Sequence, residues 1–114
     1  MGQYYILHDG KVVEEPDFKK WLAWHQSSYE QTRCIAHTWV KFGEVRTVFL
    51  GMNMRESESE PPWLFDTRVY GGWLAGEWER SSTFEKASAS HEAWVARVRE
   101  MESNNEVPPP DAVF

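Results

Sequence analysis

Apolar residues recur along the chain at two different periods, and the changes of period divide it into elements. A short apolar run spans 3–8, Asp9-Gly10 interrupts it, and Lys11-Val12-Val13 resumes it. Asp-Gly between apolar runs predicts a tight hairpin, because both central residues tolerate positive φ. Pro16 and Asp17 then open a helix. Asp17 is placed to accept hydrogen bonds from first-turn amides, and Phe18, Trp21, Leu22 and His25 share one face at helical spacing. Ser27-Ser28 is its expected end.

Alternation with period two predicts strands over 33–40, 44–50, 63–70 and 76–81. Phe42-Gly43 turns the first of these into the second. A long acidic loop over 51–62, with Glu56, Glu58 and Glu60 and closed by Pro61-Pro62, precedes the third and reads as solvated. Gly71-Gly72 breaks the chain before the fourth. Ser82-Thr83-Phe84-Glu85 has the form of a capping box. Beyond it, Phe84, Ala87, His91, Trp94, Val95, Val98 and Met101 form a stripe at spacings of three and four.

The pattern predicts an α+β fold: an N-terminal hairpin plus a four-strand antiparallel meander, with two helices on one face. Residues 1–102 form the expected domain. Residues 103–114, with Pro108-Pro109-Pro110, are expected to be a flexible tail. The other face of the sheet is then free for a ligand or a second subunit.

The chain has 114 residues and 41% hydrophobic content, enough for one core and hardly two. A net charge of −6 argues against binding bulk nucleic acid, which needs a basic face. No apolar run approaches the ~20 residues of a membrane span. A lone Cys34, expected to be a small buried residue, and an N-terminus without signal-peptide character point to the cytoplasm of whatever cell makes the chain. Seven tryptophans are more than a small core easily hides, so an aromatic binding surface or a homo-oligomer interface is expected.

On the strand over 63–70, Phe65, Thr67 and Val69 belong under the helices, and Leu64, Asp66, Arg68 and Tyr70 point the other way. Neighbouring strands add Arg46, and either His37 with Trp39 or Thr38, depending on register. Guanidinium groups take phosphate oxygens and flat rings stack on bases, so the mixture suits a nucleotide-like ligand. Arg46 and Arg68 would hold phosphate, Tyr70 with Trp73 or Trp78 would stack, and Asp66 and Asn53 would read ribose or base edges. The bland reading is cross-strand pairing of ordinary surface charges. His8, His25, His37 and His91 lack metal-ligand spacing, and His91 reads as a core-edge histidine bonded to backbone or carboxylate. No nucleophile motif or phosphate loop is present. No cofactor is expected.

Three stretches resemble a widespread family of small uncharacterised bacteriophage and prophage proteins: Thr47-Val48-Phe49-Leu50-Gly51-Met52-Asn53, the segment 62–72 from Pro62-Trp63 to Gly71-Gly72, and Arg80-Ser81-Ser82-Thr83-Phe84-Glu85-Lys86-Ala87 running on to His91. The chain departs from that pattern at Met54, where the family carries His, and at Asp66 and Arg68, where Glu and Met are common. The resemblance implies a phage setting and a counter-defence accessory role. The resulting expectation is a non-enzymatic sponge for a nucleotide-like immune signal. The alternatives are a module that inhibits a host defence protein through its aromatic surface, and a small phosphodiesterase using His37 or His91 as acid or base.

Overall fold

The computed structural model describes residues 3–27 and 33–104. Strands β1 (Tyr5–His8) and β2 (Lys11–Glu14) form a hairpin. Its turn residues Asp9 and Gly10 have φ of 50° and 76°, the paired left-handed conformation that Asp-Gly supplies. Helix α1 (Phe18–Ser27) follows, and the Asp17 carboxylate caps it by accepting from the Lys19 and Lys20 amides at 2.9 and 3.3 Å.

Strands β3 (Cys34–Val40), β4 (Gly43–Phe49), β5 (Phe65–Tyr70) and β6 (Trp78–Ser81) form the antiparallel meander in the order β3-β4-β5-β6. Helix α2 (Phe84–Asn104) crosses all four. The hairpin is a separate two-stranded sheet. It is tied to the meander's end where the Tyr5 amide donates to the Gly51 carbonyl and the Asn53 amide to the Gln3 carbonyl, at 2.8 and 3.0 Å.

Both helices pack against the sheet, as the alternation requires. Phe49 and Phe65 meet Leu7, Leu64 and Ala87 at one end, where the Trp24 ring of α1 stands edge-on to Phe49. Val45 and Val69 pack under Trp94, Val95 and Val98 at the other. Leu64, expected on the open face, lies before β5 begins and is buried in this core, because the strand's alternation has not started there.

The α2 cap sits one residue later than the sequence pattern suggests. Thr83, not Ser82, accepts from the Lys86 amide at 3.1 Å, so Glu85 falls outside the reciprocal position of a capping box. Thr83→Ala is expected to cost about 1 kcal/mol and Ser82→Ala clearly less, read from urea midpoints. The helix continues to Asn104, two residues into the segment expected to be tail; 105–114 lie outside the described residues, as does Ser28.

Candidate functional site

The register decides which side chains meet on the uncovered face of the sheet. Residues directly opposite in an antiparallel ladder point to the same side. His37 pairs with Arg46, Arg46 with Arg68, and Arg68 with Trp78, which makes one row across four strands. Trp39, Glu44 and Tyr70 form the row on one flank. Val48, Asp66 and Arg80 form the row on the other. The facing positions Thr47, Thr67 and Val69 are at most 1% exposed beneath α2. Of the two registers open for β3, the one that supplies His37 with Trp39 is therefore observed, and Thr38 points to the helix side.

Like charges directly opposite destabilise a sheet, and Arg46 lies opposite Arg68. Acids on the same strands reduce this cost. Glu44 accepts from the Arg46 guanidinium at 2.7 Å and stands 3.4 Å from the His37 imidazole. Asp66 is 3.3 Å from the Arg68 guanidinium. Burial pushes the Asp66 carboxyl above its usual range, against the pull of Arg68 and Arg80. Arg80 has no carboxylate within ion-pair distance among the described residues.

Rings and cations interleave across the platform. The Arg80 and Arg68 guanidinium carbons lie 4.9 and 5.9 Å from the Trp78 ring centre, and that of Arg46 lies 5.8 Å from Tyr70. The Nε atoms of Arg68 and Arg80 and one Asp66 oxygen are buried without a hydrogen-bond partner among the described residues. Trp78 is 49% exposed and Trp39 70%.

Trp78 and Arg80 also form one wall of a groove of about 320 Å³, closed by Met54, Glu56, Glu60 and Trp63. The acidic loop over 51–62 leaves Glu56 and Glu58 exposed, as expected of a solvated run, while two contacts tie it down. The Trp63 indole donates to the Glu60 carboxylate at 2.7 Å and holds that carboxyl below its usual range. The Arg55 guanidinium donates to Glu58 at 3.1 Å.

The structure thus brings Arg46, Asp66, Arg68, Tyr70 and Trp78 together. It does not bring Asn53 or Trp73 to them. Asn53 is buried, and its side-chain oxygen accepts from the Arg55 amide at 3.1 Å, so it holds the loop's shape. Trp73 is half-buried in the loop after Gly72, and among the described residues it shows no ring or cation contact with the platform. Sequence reasoning missed Arg80 and Glu44. The alternation Trp78-Glu79-Arg80 already places Trp78 and Arg80 on one face, and that signal was sufficient to find Arg80.

His91 is not at this site. Its ring lies under the sheet, 5% exposed, with Nδ1 and Nε2 each 2.8 Å from the Thr47 and Thr38 hydroxyls. The expected carboxylate or backbone partner is therefore replaced by two threonines. Among the described residues no group of three or more His, Cys, Asp or Glu is placed to hold a metal ion, and no helix is long and apolar enough to cross a membrane. No protein-family model, curated protein or solved structure matches the chain. The likeness to phage proteins rests on the sequence motifs alone.

Proposed function

We propose that the chain is a non-enzymatic binding module whose open sheet face takes a planar, phosphate-bearing ligand of the nucleotide class. The observation that carries this reading is the arginine pair Arg46–Arg68, held opposite each other beside Trp78 and Arg80. A sheet shaped for stability alone has no use for that pairing, whereas a ligand phosphate relieves it. Trp78 and Tyr70 offer rings for stacking, and the adjoining groove is of the size that small-molecule sites occupy. The chain's net charge of −6 keeps the basic character local, which suits a small anion over a polymer. In the phage setting that the sequence motifs imply, this is a counter-defence sponge for a nucleotide immune signal in the host cytoplasm.

Titration calorimetry against cyclic dinucleotides and ADP-ribose derivatives tests the proposal. Binding by at least one of them is expected, weakening with salt. Arg68→Ala and Arg80→Ala are each expected to weaken it about tenfold or more, since a charge-assisted hydrogen bond is worth ~1.5–3 kcal/mol. Trp78→Ala removes a stacking surface worth ~1–3 kcal/mol. Folded protein that gives no heat with any of them at high concentration overturns the reading.

A further inference from the structure

The meander has two edges, and the ladder shows which main-chain groups each leaves unused. The Leu50 amide donates to the Leu64 carbonyl at 2.7 Å, just beyond the Phe49–Phe65 pair, and the Val69 amide to the Glu77 carbonyl at 2.9 Å, just beyond Arg68–Trp78. Both patterns mark those pairs as non-hydrogen-bonded. Alternation then turns the main-chain groups of Glu44, Arg46 and Val48 toward β5, and those of Val45 and Thr47 toward β3. Thr38 and Ala36, opposite Val45 and Thr47, are consumed by β4. The amides and carbonyls of His37 and Trp39 therefore face outward from the β3 edge.

Beside that edge runs a cleft of about 550 Å³ between β3 and α2. Ala36, Thr38, Val95 and Ala96 line it, and Glu92 and Arg99 stand at its ends. Glu92, Ala96 and Arg99 form one exposed stripe at spacings of four and three. Glu92 and Arg99 are about 10 Å apart along the helix, too far to pair with each other. Neither has an ion-pair partner among the described residues.

We infer that this edge is the interface for a second copy of the same chain, joined about a two-fold axis that passes Thr38 and Ala96. The surface is complementary to itself at three levels. Antiparallel pairing about Thr38 sets His37 opposite the partner's Trp39, so that four outward main-chain hydrogen bonds form and both edges disappear. The same axis runs the two α2 helices antiparallel, with Glu92 against the partner's Arg99, Arg99 against the partner's Glu92, and small Ala96 residues allowing close approach. On the open face, Trp39, 70% exposed, becomes covered by His37 of the partner subunit.

The opposite edge does not repeat this match. Strand β6 has four residues, and pairing through its outward groups on Trp78 and Arg80 would set Glu79 against its own copy. At β3 the axial residue is Thr38, and facing threonines are a favourable cross-strand pair.

Sedimentation of the full chain without ligand tests the inference separately from the calorimetry. A dimer at micromolar concentration is expected. Glu92→Arg and Arg99→Glu should each weaken it at least tenfold, and the exchanged pair Glu92→Arg/Arg99→Glu should restore it. Trp39→Pro removes an amide that the fold does not use, as an edge strand tolerates. It should give a monomer whose circular dichroism remains folded. A wild-type chain that stays monomeric, or a dimer that ignores all of these changes, overturns the inference. So does an exchanged pair no stronger than the single variants.

Discussion

Gly43→Ala is expected to destabilise the protein by about 3 kcal/mol or more, among the largest losses of any single methyl addition in this chain. The reason is contact, not backbone conformation. A Cβ on Gly43 would be built into the Tyr70 carbonyl oxygen, with the Gly71 Cα at 3.0 Å. These are main-chain atoms at the end of β5, so no side chain can swing aside. Relief requires β4 and β5 to part at the Glu44–Tyr70 pair, which is also the row that carries the Arg46–Tyr70 contact. Gly10→Ala is the control. Gly10 has φ of 76° but nothing within 4 Å of an added Cβ, so it loses only the conformational term, about 1 kcal/mol. Urea midpoints of the two variants should differ accordingly; equal midpoints would show that the strand ends relax apart without cost.

That crowding also shows where sequence reading stops. The hairpin was legible because Asp9-Gly10 has essentially one use between apolar runs, and α2 because its stripe holds its phase over several turns. The two faces of β5 were legible because alternation is local: Phe65, Thr67 and Val69 go under the helix and Asp66, Arg68 and Tyr70 do not. Register is not local. The β4–β5 connection is long, so no turn rule fixes that pairing, and the β3–β4 turn is Lys41-Phe42, one residue earlier than the Phe42-Gly43 expected from sequence. The facing arginines and the row His37–Arg46–Arg68–Trp78 follow only once the pairing is known.

Asn53 and Trp73 show the converse difficulty. A polar residue in a loop serves a ligand or its own backbone with the same side chain. Asn53 serves the Arg55 amide. A tryptophan beside a double glycine can turn either way, and among the described residues Trp73 shows no ring or cation contact with the platform. Arg80 was missed because its strand is short, not because its pattern was obscure.

The second large effect concerns His91, whose partners also depend on register. Thr38 and Thr47 are paired-strand neighbours of opposite residues, and their hydroxyls converge on the two ring nitrogens at 2.8 Å. Thr47 also meets the Thr67 hydroxyl at 2.7 Å. A neutral imidazole satisfies this chain, one nitrogen donating and the other accepting. His91→Ala leaves a cavity beneath the sheet and takes a partner from the hydroxyls of Thr47, 0% exposed, and half-buried Thr38. A loss of about 3 kcal/mol is expected from the two effects together. Burial lowers the His91 pKa below 6.5, with the His37 charge adding to the shift and Glu92 opposing it. The unfolded chain therefore binds the proton more readily than the folded one. Stability is complete above about pH 6.5 and falls as pH drops below it, until the folded ring itself protonates. His25 is shifted the same way, chiefly by burial and then by Arg33, and contributes with the same sign. Urea unfolding between pH 7.5 and 5 should show this slope in the wild type and a shallower one in His91→Gln, which retains a donor and an acceptor without a titration. An unchanged slope in that variant would mean that the acid sensitivity arises elsewhere in the molecule.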